Sequence, residues 1–284
     1  AWTVSFKRVA LDFNPDNAHE PGTPIYPNQP NGPKWPAKDA YLKDVTYTVH
    51  YTSKNRNAKL PADSVQKAQW KRSLTLDSVT GDILTAGEWK ADKTKFDLVI
   101  IPLVNGYFAD KGRVASQDVT MDNKVETVTY TKFGKIIAVD EKGNPIPGVE
   151  AVTYTNDPND PTKMIAVDKN LPTIPGYTAK VVPATPGDLS SDTKVVYVKN
   201  DQKASVVYRD ETSGSTLETV ALAGKSGEAV NYSTAERIKH YQDLGYALVT
   251  DGYPAGATFD LDSTVDQAWT VSFKRVALDF NPDN

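Results

Sequence analysis

Polar and apolar residues alternate along several stretches of the chain. They are DVTYTVHYT from Asp44, VETVTYTK from Val125, TKVVYVKN from Thr193, KASVVYRD from Lys203 and QAWTVSFKR from Gln267. A period of two puts every second side chain on the same face, which is the signature of half-buried β-strands. Three segments repeat one arrangement: a Gly–Tyr pair (106–107, 176–177, 245–246) precedes an alternating strand about 20 residues further on. Each follows an opening strand, and two of those strands run into polar glycine turns at 140–143 and 210–214. The pattern predicts three related β modules.

The last module carries the one convincing helix signal. Ser233-Thr234-Ala235-Glu236 reads as a capping box, Ile238, Tyr241 and Leu244 follow at helical spacing, and Gly245 sits where a left-handed cap is expected. Two strands, a crossing helix and further strands ending on a long one describe a β-grasp, or ubiquitin-like, layout. The middle module is shorter, and Pro172 and Pro175 argue against a helix there. In the first module residues 65–76 read as a strand, 77–82 as a turn and 83–89 as its return, giving a long hairpin. The expected fold class is α+β, mostly β: an elongated string of small β-grasp modules joined by short linkers.

Residues 1–17, AWTVSFKRVALDFNPDN, recur unchanged at 268–284. The chain therefore reads as one period of a longer array plus an overlap, with residues 1–17 as the closing strand of a preceding repeat. An orphan strand at 2–8 is expected to be disordered or borrowed by a neighbouring edge, and deleting 1–17 should barely change stability. Prolines at 21, 24, 27, 30, 33 and 36 match the three residues per turn of polyproline II, so 18–38 is expected to be a semi-rigid rod of about 46 Å. The remaining divisions are 39–132 as a larger module, 133–200 as a shorter one, and 201–284 as the ubiquitin-like module with the start of the next linker.

Composition narrows the function. The formal charge of −4, without a basic stripe, disfavours nucleic acid and anionic membranes as partners. The absence of Cys excludes disulfides, thiolate metal sites and a cysteine nucleophile. No apolar run approaches the roughly 18 residues of a membrane helix. Neither a nucleophile elbow, an HExxH motif nor a phosphate-cradling glycine loop occurs, so the chain is not expected to be an enzyme and no cofactor is implied.

Residues 202–275, with QKASVVYRDETSG and the strand QAWTVSFKR, resemble the ubiquitin-like half of the mucus-binding (MUB) repeats of lactobacillus surface adhesins. Residues 41–132, from YLKDVTYTVHY to NGYFADKGRVASQDVT, resemble the larger mucin-binding half. Residues 133–200, with VDEKGNPIPG and IPGYTAKVV, resemble the shorter MucBP module of Gram-positive surface proteins. The resemblance implies extracellular, wall-anchored proteins that adhere to mucin glycoprotein, with signal and anchor outside this stretch. It supplies no fixed set of glycan-contacting residues.

Sugar recognition needs an aromatic face flanked by hydrogen-bonding side chains. Trp70 and Trp89, with Gln69, Glu88 and Lys90 beside them, are the candidates; the competing reading makes both indoles core. Trp35 is expected to pack as a lid, Trp269 and Phe273 to be core, and Tyr107, Tyr177 and Tyr246 to share one structural role. The acidic stretches 156–161 and 260–266 carry oxygen ligands but lack the EF-hand spacing, so they read as solvated turns and no metal is expected. Lys–Asn isopeptide cross-links remain compatible with the sequence. The leading expectation is a monomeric adhesin repeat that binds mucin glycans weakly and gains by multivalency. The rivals are a mechanical stalk with no ligand of its own, and a protein-binding module that acts by edge-strand addition.

Overall fold

The structure, a computed structural model, describes residues 1–278. Among these residues it is mostly β with one α-helix, and it divides into two compact units: residues 1–133 with 155–165, and residues 134–154 with 166 onward.

Among the described residues the first unit contains two sheets of three or more strands, beside three short two-stranded pairs. Strands β1 (Ala10–Phe13), β4 (Leu74–Asp77) and β5 (Ile83–Ala86) form an antiparallel sheet in the order β1-β4-β5. Strands β2 (Leu42–Thr52), β3 (Ser64–Lys71), β6 (Lys90–Ala91), β7 (Tyr107–Ala109) and β8 (Lys124–Lys132) form the second, in the order β6-β3-β2-β8-β7. Alternation decides which face is buried. Val45, Tyr47, Val49 and Tyr51 of β2 point inward onto Phe96, Val128 and Tyr130, while Thr46, Thr48 and His50 face the other way. Tyr130 carries its hydroxyl into this core and donates it to the Pro102 carbonyl at 2.6 Å; burial pushes its pKa up to about 12.

The expected single strand at 65–76 is broken. Arg72 donates its backbone N–H to the Tyr41 carbonyl and its Nε–H to the Ala40 carbonyl. That clamp ends β3 at Lys71 and hands Leu74–Asp77 to the other sheet. The N-terminal expectation also changes. Residues 1–9 carry no element, but Ala10–Phe13 pairs with β4, and Phe13 is buried beside Tyr41, Leu74 and Leu76. The copied segment is thus integral to the first unit from Ala10 onward.

Residues 18–38 do not form a straight polyproline rod. Gly22 and Ile25 donate to the carbonyls of Trp35 and Pro33, and the Trp35 amide returns to Thr23, so the segment doubles back on itself. Proline removes its own amide donor only. The residues between prolines keep theirs, and closing the loop lets Ile25 and Trp35 bury apolar surface against the cluster of Phe13, Tyr41, Leu74 and Leu76. Trp35 covers Phe13 as the expected lid, with His19 stacked 4.1 Å above its ring.

In the second unit, β9 (Lys135–Val139), β10 (Val152–Thr153), β11 (Tyr177–Val181) and β12 (Thr193–Lys199) are ordered β10-β9-β12-β11. Strands β13 (Asp201–Asp210), β14 (Ser215–Lys225), β15 (Tyr246–Asp251) and β16 (Gln267–Arg275) are ordered β14-β13-β16-β15. In both sheets, and in the β3-β2-β8-β7 part of the five-stranded one, the first and last strands pair in parallel at the centre while antiparallel strands flank them. Each Gly–Tyr pair opens the third strand of its four-strand set. Gly106, Gly176 and Gly245 take φ of 79°, 76° and 91°, and each carbonyl accepts from the residue just after the last strand. The left-handed turn requires glycine there, and the half-buried tyrosine that follows locks the strand's register.

Helix α1 (Ala235–Asp243) packs Tyr241 and Ile238 against Val206, Tyr208 and Phe273. Its start differs from the capping box expected at Ser233. Thr234 is the cap residue, and its hydroxyl donates to Asp251 at 2.7 Å, which draws it inward. Ser233 accepts from the Ala235 amide instead of that of Glu236. Leu244 falls outside the helix and is exposed. The middle segment has only a 3₁₀ turn, Val167–Lys169, in its helix-free crossing. Trp269 and Phe273 pack into the core as expected, Trp269 edge-on to Tyr253.

Candidate functional site

Strand alternation separates the two candidate tryptophans. On β3, Ala68 and Trp70 face the core while Gln69 and Lys71 face outward. Trp70 is half-buried against the five-stranded sheet's core, and its indole N–H donates to the Thr120 carbonyl at 3.1 Å. It is a wall of the core, not an exposed plate. Trp89 lies just before β6, also half-buried, with the Arg72 guanidinium 4.6 Å from its ring centroid. A cation over an indole face is a favourable arrangement in its own right, so one face of Trp89 is taken.

The remaining three candidates come together. Gln69, Glu88 and Lys90 line a groove of about 650 Å³ with Asn14, Asp16 and Asp92, and neither indole is among its lining side chains. β1 delivers Asn14 and Asp16 to one wall, the end of β3 supplies the floor, and the approach to β6 forms the other wall. The groove is braced from within. Lys71 Nζ bonds Asp16 at 2.7 Å, and the Gln69 amide and carbonyl are both paired with Asp92. The Gln69 side chain donates to Asp44 at 2.8 Å, which, with the Lys38 ammonium, holds the Asp44 carboxyl below its ordinary range. Glu88 and Lys90 stay exposed. Chemically the rim offers carboxylate and amide acceptors interleaved with ammonium and amide donors, a set suited to a ligand rich in hydroxyls.

The residues missed by sequence reasoning are Asn14, Asp16, Arg72 and Asp92. Arg72 carries a local signal, a cation directly after a strand that must turn. The others have none, because Asn14 and Asp16 reach Gln69 only through the pairing of β1 with β4.

The acidic stretches bind the chain to itself. Asn156 accepts from the Gly106 amide and donates to the Tyr107 carbonyl at 2.7 Å, so it pins the turn before β7. Asp160 accepts from the Thr162 hydroxyl and amide and lies 3.0 Å from Lys163, which holds its pKa down at about 2. Asp260 and Asp262 accept from amides two residues ahead, the geometry of solvated turns.

Two family models match the chain: Muc B2-like domain over residues 36–134, and Mucin binding domain over residues 202–275. Among solved structures, the type 2 repeat of the mucus binding protein MUB from Lactobacillus reuteri is 44% identical over 26% of this chain and 40% of its own, with a TM-score of 0.26. The mucin-binding domain of Spr1345 from Streptococcus pneumoniae is 34% identical over 32% of this chain and 91% of its own (TM-score 0.28). The MucBP domain of an adhesion protein from Pediococcus pentosaceus is 30% identical over 31% of this chain and 97% of its own (TM-score 0.28). The chain spans 40% and 53% of the length of the first two structures matched, the MUB type 2 repeat and Mub-RV. The curated proteins give no match. At that identity over nearly the full length of two solved domains, the chain belongs to the mucin-binding domain family.

Proposed function

We propose that this chain is an extracellular adhesin repeat of a Gram-positive surface protein, that it binds mucin glycoprotein, and that the groove of Gln69, Glu88 and Lys90 is where it meets the glycan. The observation that carries the reading is the presence of a Mucin binding domain match and a Muc B2-like domain match in one chain. In this reading the sheets with parallel centres are β-grasp modules strung along a wall-anchored array. Among the described residues no helix is long and apolar enough to cross a membrane. An open groove with a solvated rim supports weak binding per site, since surface hydrogen bonds largely exchange for bonds to water. The array then gains by multivalency.

The test is binding of the chain to immobilised mucin before and after enzymatic removal of the glycans, alongside Glu88→Ala and Lys90→Ala. Both side chains are exposed, so neither change should disturb folding. The expected result is binding that disappears with the glycans and falls at least several-fold in both variants. Binding that persists without glycans would establish protein recognition at a sheet edge instead. No binding in either state would make the repeat a stalk.

A further inference from the structure

The two copies of the 17-residue segment are complementary in what they bury. In the front copy, Val4 and Phe6 are 73% and 94% exposed, whereas the same residues in the rear copy, Val271 and Phe273, are fully buried in β16. Past the arginine the order reverses. Leu278 is 93% exposed, while its counterpart Leu11 packs against Phe13 and Leu76 in the first unit. The changeover falls at Arg8 and its counterpart Arg275.

Both arginines hold a buried carboxylate, and the two carboxylates sit in the same local motif. Asp77 and Asp210 each end a strand and accept the amide two residues on. Each also takes, on its own carbonyl, the amide of a left-handed glycine four residues on (Gly81 and Gly214). Arg8 reaches Asp77 through Nη1 at 2.7 Å; Arg275 reaches Asp210 through Nε at 3.0 Å. The Tyr246 side chain is also hydrogen-bonded to Arg275. The turn at Asp140 is shorter, with Gly143 three residues on, and its carboxylate accepts from the Lys142 and Asn144 amides and, among the described residues, pairs with no arginine. Each arginine side chain is more than half exposed.

Where one period follows another, these two arginines are a single residue. We infer that this arginine is a shared clasp, its Nε on Asp210 of one period and its Nη1 on Asp77 of the next, joining consecutive repeats through one residue between β16 and the following β1. A guanidinium suits this because its donors are fixed in one plane and point in different directions. Both carboxylates are already buried, so each needs a cation whether or not it is shared.

The test is hydrogen exchange by mass spectrometry on a two-period chain, reading the peptides that contain Val79–Thr80 and Thr212–Ser213. Each peptide occurs twice, and only one copy of each adjoins the junction. In the parent both isotope envelopes should be single. Arg275→Ala at the junction should split both into equal halves, with exchange at least tenfold faster in one half. Arg275→Lys, which keeps the charge but has one nitrogen, should split at least one. In the single-period chain, Arg8→Ala should affect only the first peptide and Arg275→Ala only the second. An envelope already split in the parent, or one that Arg275→Ala leaves single, would overturn the shared clasp.

Discussion

Phe13 provides the sharpest check on the fold, because the sequence places it in a spare copy of a strand and the structure places it in a core. It is 3% exposed, with Tyr41 4.7 Å and Trp35 5.9 Å away, ring to ring. Burying a phenylalanine and then deleting it costs about 3–5 kcal/mol, and each aromatic pair adds about 0.5–1.5 kcal/mol beyond area. Phe13 lies on a short edge strand that can partly collapse, which favours the lower end. Phe13→Ala should therefore destabilise the first unit by about 3 kcal/mol. Urea unfolding followed by tryptophan emission measures this, in a Trp269→Phe background so that the emission comes from the first unit alone. The paired control is internal to the sequence. Phe6→Ala, at a side chain 94% exposed, should change stability by less than about 0.5 kcal/mol. Phe273→Ala, the identical residue in its buried copy, should destabilise only the second unit. A neutral Phe13→Ala would refute the pairing of β1 with β4 and restore the picture of a detached N-terminal strand.

The other predictions are independent. Trp70→Ala should destabilise the first unit by about 3 kcal/mol, through lost packing and the lost bond to Thr120, as measured by urea titration. Gly245→Ala should cost about 1 kcal/mol in the second unit from backbone strain alone, since its new methyl meets nothing within 4 Å. Gly224→Ala should cost more, because that methyl would collide with the Phe259 ring; thermal melts of the two variants rank them. Asp77, Asp160 and Asp210 all have depressed carboxyl pKa values, led respectively by the Val79 amide, the Thr162 hydroxyl and the Ser213 hydroxyl. A folded pKa below the unfolded value contributes stability that is complete above the unfolded pKa of about 3.9 and is lost as pH falls through the folded one. Stability should thus decline between about pH 4 and pH 2. Asp160→Asn should flatten that slope in the first unit, and an unchanged acid profile would count against its bonds to Thr162.

What the sequence revealed is what local periodicity controls. Val45, Tyr47, Val49 and Tyr51 announce an inward face because a strand returns to the same side every two residues. Gly245 announces a left-handed turn because few other residues tolerate one. The groove was legible only in part. Gln69, Glu88 and Lys90 stand out in the sequence by their nearness to two tryptophans, yet they meet because β3 turns Trp70 inward and Gln69 outward while β6 pairs beside β3 and brings Glu88 and Lys90 alongside. Asn14 and Asp16 were out of reach, since only the pairing of Ala10–Phe13 with Leu74–Asp77, more than 60 residues away, brings them there. The proline series misled for a related reason. A spacing of three fits polyproline II, but nothing local shows that Ile25 and Trp35 have a core to close upon.

The parallel pairing of first and last strands has a mechanical consequence. In such a sheet the chain enters along one central strand and leaves along its parallel neighbour, so tension on the two ends slides those strands past each other. Their hydrogen bonds are loaded together in shear rather than opened one at a time like a zipper. Resistance then scales with the length of the shared register: seven residue pairs between β13 and β16, six between β2 and β8, and four between β9 and β12. Under flow-driven pulling, the short β9–β12 sheet is the one that yields first and lengthens the chain, while the sheets on either side of it in sequence hold.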